Sequence, residues 1–123
     1  MTYTVDKMEF EFEYDCEDDV LSVYNPSVPP AESVEFSENI VIDIDDKGDI
    51  VGLEIFDASE FFGVINENIN KAFLEDLEEA SLKYKNLRNT WFIVLILKSK
   101  GRVIIQQPMP LLRKSEYKSP LII

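Results

Sequence analysis

The residues whose types and spacing could support chemistry are concentrated in one acidic segment, residues 43–54. Counted from its start, the segment has aspartate at positions 1 and 3, glycine at 6, an aliphatic residue at 8 and glutamate at 12, the spacing of a calcium-binding EF-hand loop. Calcium prefers several carboxylate oxygens that are held around one sharp turn. The hypothetical metal ligands are therefore Asp43, Asp45, Asp49 and Glu54.

Two features of the same segment argue against a calcium site. Lys47 occupies position 5, where an EF-hand has a ligand. The residues on both sides alternate between apolar and polar, which predicts β-strands, whereas an EF-hand loop joins two helices. A charged hairpin turn with a solvated face is the simpler interpretation. Calcium binding is kept as an alternative, and no other cofactor is expected.

The composition excludes most other catalytic chemistry. The chain contains no histidine, which removes the commonest general base and the commonest transition-metal ligand. Its single cysteine, Cys16, lies among carboxylates that oppose formation of a thiolate. The 4 glycines are too dispersed to form a phosphate-binding loop. We therefore expect that the protein is not an enzyme, and a hydrolase with a buried carboxylate pair is only a third possibility.

Charge is divided unevenly along the chain. Residues 1–80 contain 23 acidic and 3 basic side chains, whereas residues 81–123 contain 9 basic side chains and 1 acidic one. Such segregation suggests an electrostatic contact inside the protein or with a partner, including a second copy of the chain. The last three residues are apolar and mark an interface if they are exposed. The candidate partner-binding residues are the acidic Glu9, Glu11 and Glu13, the basic Lys98, Lys100, Arg102, Arg113 and Lys114, and the apolar Leu121, Ile122 and Ile123.

The first half of the chain predicts two β-hairpins. Residues 8–14 alternate strictly between apolar and acidic side chains, and residues 20–24 return as a second strand after an acidic turn. Residues 39–45 alternate in the same way, and residues 50–56 follow them after a tight turn at 46–49. Each pair therefore predicts antiparallel strands with one buried face.

The second half predicts one long helix and a further hairpin. From about residue 66 to residue 88, apolar side chains recur at three- and four-residue spacing, which predicts an amphipathic helix. Residues 91–97 are apolar without a break, which predicts a strand buried on both faces, and residues 102–106 return after a turn. The expected fold class is α+β, with a mostly antiparallel β-sheet built from hairpins and one long helix (66–88) packed on it.

The length and the apolar content favour one domain, residues 1–123. No apolar run reaches the ~18 residues that cross a bilayer, and the first twenty residues have no secretory signal. A lone cysteine suits a reducing compartment. We therefore expect a cytoplasmic protein without a membrane partner.

Two longer patterns in the first half of the chain are characteristic of a family. Residues 14–23 read YDCEDDVLSV and residues 48–59 read GDIVGLEIFDAS. Through these patterns residues 8–60 resemble the prokaryotic domain-of-unknown-function family 2283, although Ser22 stands where that family usually has tyrosine. The resemblance implies a small sheet-rich fold in the cytoplasm of a bacterium or archaeon, and it implies no activity. The predicted helix, second hairpin and basic tail, residues 61–123, lie outside the resemblance.

Besides the hydrolase, three functional hypotheses follow. The first is a small non-enzymatic interaction module that self-associates, with a further protein partner possible. The first alternative is a divalent-cation binder that uses the acidic 43–54 hairpin. The second alternative is a nucleic-acid-associated accessory protein that uses the basic C-terminal part. Nucleic acid is the less expected partner, because a net charge of −12 repels phosphates.

Overall fold

The alternating segments form the strands of two antiparallel sheets in the computed structural model, which describes residues 10–101, 103–110 and 112–113. Along the chain the elements are β1 (Glu11–Asp15), β2 (Val20–Tyr24), β3 (Glu32–Glu35), β4 (Ile40–Ile44), β5 (Ile50–Phe56), α1 (Ala58–Ile65), α2 (Lys71–Glu75), β6 (Leu77–Asn86), β7 (Thr90–Ser99), β8 (Val103–Pro108) and β9 (Leu112–Arg113). The first sheet has the strand order β1-β2-β5-β4-β3, and the second has the order β6-β7-β8 with β9 also paired to β7. The α+β class and the mostly antiparallel pairing are confirmed.

The two hairpins predicted in the first half of the chain are confirmed. Strand β1 pairs with β2, and β4 pairs with β5, both antiparallel. The turn between β4 and β5 is tight because Gly48 has a φ of 84°, a conformation that glycine adopts without strain. The Asp45 carboxylate fixes the same turn by accepting hydrogen bonds from the backbone N–H groups of Lys47 and Asp49, each at 2.9 Å.

The prediction of one long helix over residues 66–88 is wrong. The segment forms the short helix α2 and then the ten-residue strand β6. Asn70 begins α2, since its side chain accepts a hydrogen bond of 2.9 Å from the N–H of Phe73. Strand β6 then pairs with β7, because the main-chain N–H and C=O groups of β7 need hydrogen-bond partners that a helix cannot supply.

Strand β7 also differs from the prediction, because only one of its faces is buried. The side chains of Trp91, Ile93, Leu95 and Leu97 point into the core and are at most 4% exposed. On the other face Phe92 is 39% exposed, and Val94 and Ile96 are half-buried. The unbroken apolar run therefore has buried side chains on the inner face of β7 and partly exposed side chains on its outer face.

Both sheets contribute to one hydrophobic core. Leu21 and Leu53 of the first sheet and Ile93 of the second belong to the same buried cluster. The helices close this core with Phe62 and Leu74, which are almost completely buried. Residues outside the region of family resemblance therefore cover the inner face of the first sheet. None of the described helices is long and apolar enough to cross a membrane.

Candidate interaction surfaces

The first candidate surface is the outer face of the five-stranded sheet, which points away from the shared core. Strand register places two rows of side chains across it: one row is Glu13, Ser22, Glu54, Val41 and Glu35, and the next is Glu11, Tyr24, Gly52, Asp43 and Ser33. Five of these ten residues are acidic and none is basic. We call this surface the acidic face.

Near its centre the acidic face has a carboxyl group, that of Glu54, whose pKa is raised. Burial raises the pKa of the Glu54 carboxyl, and the negative charge of Asp43 raises it further. Asp43 accepts a hydrogen bond of 2.6 Å from the hydroxyl of Ser33. A Cβ atom at position 52 would lie 3.0 Å from the Asp43 carboxylate, so Gly52 is what allows this carboxylate to approach the sheet.

Replacing Glu54 by glutamine should stabilise the protein at neutral pH by about 0.5 kcal/mol, the size of a like-charge effect on a sheet. The pKa of Glu54 is higher in the folded state than in the unfolded state, so its favourable contribution is complete below about pH 4 and is lost as the pH rises through the folded-state pKa. The urea midpoints of E54Q and the wild type should therefore separate between pH 4 and pH 7. The exposed Glu13, changed to glutamine, is the control, and an E54Q protein that is less stable than the wild type at pH 7 would contradict the account.

The second candidate surface is the outer face of the second sheet. Its central row, on β7, is Phe92, Val94, Ile96 and Lys98; β6 adds Lys85, Lys83, Ser81 and Glu79, and β8 adds Pro108, Gln106 and Ile104. Phe92 and Ile104 are 39% and 58% exposed, so apolar area is open to solvent here. We call this surface the basic–apolar face.

The lysines of the basic–apolar face are mostly uncompensated. Lys98 lies 3.6 Å from the carboxylate of Glu79 on the neighbouring strand. Within the described part of the chain, neither Lys83 nor Lys85 forms an ion pair. Both lysines are exposed, and the register puts them on one side of the apolar row. The face therefore combines positive charge with apolar side chains.

Sequence reasoning missed Lys83 and Lys85 as surface residues of a sheet. The apolar residues of their segment fit a helical spacing. Because that spacing predicts a helix, both lysines are expected near its end. The signal that could have identified them is the alternation from residue 81 to 85, where Leu82 and Tyr84 separate Ser81 and the two lysines. In the structure Leu82 is buried and Lys83 is exposed, as period two requires.

A third cluster, which we call the Asp19 network, consists of Tyr14, Asp19 and Ser59. The Asp19 carboxylate accepts hydrogen bonds from the Tyr14 hydroxyl at 2.5 Å, from the Ser59 hydroxyl at 2.8 Å and from the Ser59 N–H at 3.1 Å. The Asp19 carbonyl oxygen also accepts a bond of 2.9 Å from the N–H of Ala58. Helix α1 has no side-chain cap from its own N-cap residue, Asp57, so Asp19 caps it from the β1–β2 turn.

The electrostatics of this network follow from its hydrogen bonds. Burial alone would raise the pKa of Asp19, but the hydrogen bonds from Tyr14 and Ser59 and the nearby charge of Lys71 outweigh burial and lower it. Burial, and next the hydrogen bond to Asp19, raises the pKa of the Tyr14 hydroxyl. Both pKa shifts favour an ionised Asp19 carboxylate that accepts the hydrogen bond and a neutral Tyr14 hydroxyl that donates it.

The four hypothetical calcium ligands are divided between two places. Asp43 and Glu54 lie on the acidic face, whereas Asp45 bonds within the turn. Asp49 faces Tyr84 of β6, where burial, and after it the charge of Asp49, raises the pKa of the tyrosine to about 12. In residues 10–101, 103–110 and 112–113, no group of three or more acidic or cysteine side chains is placed to hold a metal ion.

Calcium binding by the 43–54 hairpin stays a prediction. Titration of the protein with calcium while its amide NMR signals are followed tests this prediction. Shifts confined to the hairpin would support it, and unchanged amide signals at millimolar calcium would exclude it. The divided positions of the four carboxylates are a physical reason to expect weak binding at best.

The predicted partner-binding residues lie in several places. Glu11 and Glu13 are on the acidic face, and Lys98 is on the basic–apolar face. Lys100 is exposed in the β7–β8 turn, where its N–H donates to the Asp76 carbonyl at 2.9 Å, and Arg113 is exposed in β9. Six further candidates lie outside the described residues: Glu9, Arg102, Lys114, Leu121, Ile122 and Ile123.

A shallow depression lies beside helix α1. It is lined by Asn39, Glu60, Phe61, Val64 and Ile65. Only one of these residues, Glu60, has a carboxylate, whereas a carboxylate hydrolase needs two that converge. This depression therefore lacks the pair of groups that such chemistry requires.

Comparison with known proteins assigns the first sheet to a family. Residues 11–59, which contain β1 to β5 and the start of α1, match the family described as "Protein of unknown function (DUF2283)". This part of the chain is a DUF2283 domain, and the resemblance seen over residues 8–60 is confirmed. A distant homologue, an uncharacterized protein of Methanocaldococcus jannaschii, is 34% identical over 68 residues. These residues are 55% of this chain and 58% of the relative, so the match spans less than two thirds of that protein. No solved structure matches the chain.

The residues that carry the family patterns have structural roles in this chain. Tyr14, Asp19 and Ser59 form the network that joins the β1–β2 turn to helix α1. Asp15 accepts hydrogen bonds from the N–H groups of the two residues that follow Cys16, at 3.0 and 3.1 Å. Gly48 takes the positive φ of the β4–β5 turn. In this chain these residues therefore fix the turns of the DUF2283 sheet and its junction with helix α1.

Proposed function

We propose that this protein is a small non-enzymatic interaction module that self-associates through its two outer faces. The observation that carries the proposal is the basic–apolar face, where Lys85 lies opposite the exposed Phe92, Lys83 lies opposite Val94, and the exposed Ile104 lies opposite Lys98. Exposed apolar area next to unpaired positive charge is typical of a surface that binds a partner. The second half of the chain supplies this surface in addition to completing the core.

The positions of the charges favour contact between molecules over contact within one molecule. The two faces point away from the shared core, and the one described ion pair of the basic–apolar face, Lys98 with Glu79, lies within the second sheet. The negative charge of the acidic face therefore stays available to a basic surface. Because the chain itself carries such a surface, a second copy is the simplest partner.

The non-enzymatic part of the proposal is supported by chemistry. The sequence has no histidine, and its single cysteine, Cys16, is exposed among carboxylates. The Asp19 carboxylate is hydrogen-bonded to Ser59 at the start of helix α1. The depression beside α1 has one carboxylate, that of Glu60. A cytoplasmic location is part of the same proposal, since the lone Cys16 suits a reducing compartment.

Light scattering of the peak eluted from a size-exclusion column tests the proposal. At low ionic strength the molar mass should exceed the 14.2 kDa of one chain, and in ~1 M salt, where charges are screened beyond ~3 Å, it should fall towards that value. A mass of one chain at every concentration and salt level would refute self-association. An oligomer that salt does not affect would refute the electrostatic mechanism.

A further inference from the structure

We infer that the copies associate head to tail, with the acidic face of one chain stacked on the basic–apolar face of the next. This inference rests on the proposed self-association and specifies which surfaces meet. It depends on the placement of charge by the strand registers of the two sheets. It predicts that each chain has two different contact surfaces, one for the preceding copy and one for the following copy.

Contacts between identical faces are disfavoured by charge. Two acidic faces would bring five carboxylates of one copy against five of the other, with no cation among the register-paired residues. Two basic–apolar faces would bring Lys83 and Lys85 against the same lysines. Each like-charge contact is unfavourable, and desolvation at an interface strengthens the repulsion. The combination of one acidic and one basic face is the arrangement in which opposite charges meet.

Both faces also provide apolar area between their charges. The acidic face has half-buried side chains at Tyr24 and Val41. The basic–apolar face offers the row of Phe92, Val94 and Ile96 together with Ile104. The stacked surfaces therefore place an apolar centre between charged flanks, which is the usual composition of a protein interface.

The expected contact is weak. Five strands about 4.8 Å apart and about 17 Å long present roughly 400 Å² in projection. This area is smaller than the ~800 Å² that each partner typically buries in a stable complex. We therefore expect association that rises with concentration and is sensitive to salt. Because the two surfaces differ, the contact is heterologous and has no reason to stop at two chains.

Charge reversal on each face tests the inference. The variant E13K/E35K changes two exposed positions of the acidic face, and K83E/K85E changes two of the basic–apolar face. Each variant alone should sediment as one chain at concentrations where the wild type associates, because E13K/E35K cancels most of the negative charge of the acidic face and K83E/K85E makes the basic–apolar face negative. An equimolar mixture of the two variants should form pairs again, since the unchanged basic–apolar face of E13K/E35K meets the unchanged acidic face of K83E/K85E.

The control variant K47E/K71E changes the net charge by the same amount as K83E/K85E but at exposed positions outside both faces. It should associate like the wild type. If E13K/E35K associates as the wild type does, the head-to-tail contact is refuted while self-association stands. If the wild type is a single chain throughout, both the inference and the proposed function fail. Far-UV circular dichroism of every variant checks that the fold is retained.

Discussion

Replacement of Leu95 by alanine is expected to lower the free energy of unfolding by about 3 kcal/mol, the typical cost of a cavity in a packed core. Leu95 lies in the middle of β7, is completely buried and belongs to the core that both sheets share. The neighbouring Ile96 is the matched control, because its side chain points to the basic–apolar face and is half-buried. For the dilute, monomeric protein, Ile96→Ala should cost less than about 1.5 kcal/mol.

Urea denaturation followed by two probes measures this effect. Trp91 is the only tryptophan, so its fluorescence reports on the second sheet, and far-UV circular dichroism reports on both sheets. The two signals should change together, because one core joins the sheets and a small domain unfolds as a unit. A Leu95→Ala protein whose first sheet unfolds at the wild-type midpoint would show that the DUF2283 sheet is independent, contrary to the structure.

The second large effect is expected at Asp19, where a change to glycine should cost about 2 kcal/mol at pH 7 through the loss of a helix cap and an unsatisfied tyrosine hydroxyl. Asp19 has a φ of 58°, which glycine adopts without strain, so the change introduces no backbone strain. Asp18→Gly is the matched control: Asp18 is exposed, and its carboxylate is not part of the Asp19 network. Its expected cost is below about 1 kcal/mol.

The pH dependence of this difference gives an independent check. The pKa of Asp19 is lower in the folded state than in the unfolded state, so its stabilisation is complete above about pH 4 and is lost as the pH falls through the folded-state pKa. The stability gap between the wild type and Asp19→Gly should therefore be constant from pH 7 to about pH 5 and should narrow at more acidic pH. A gap that widens on acidification would contradict the role given to this carboxylate.

The part of the fold that sequence reasoning predicts well is the part governed by local signals. Strict alternation and a glycine turn specify the β4–β5 hairpin, because side-chain period and turn geometry are both encoded within a few residues. The segment now seen as β6 fits both period two and a helical spacing, and only the pairing partner β7 decides between them. Local sequence does not contain that information.

The candidate surfaces show the same division. Glu11 and Glu13 follow directly from the alternation of β1, whereas Lys83 and Lys85 require knowledge of β6. The cap that Asp19 provides joins residues 40 positions apart in the chain, so no local pattern reveals it. The segregation of charge was evident from composition, but its assignment to two outward-facing surfaces depends on the register of both sheets.

Sedimentation velocity of the wild-type protein over a series of concentrations at low salt tests the central claim most directly. The account predicts a mean mass above 14.2 kDa that increases steadily with concentration and passes the mass of two chains. A sedimentation coefficient that stays at the value of a single 14.2 kDa chain over the whole series would contradict it.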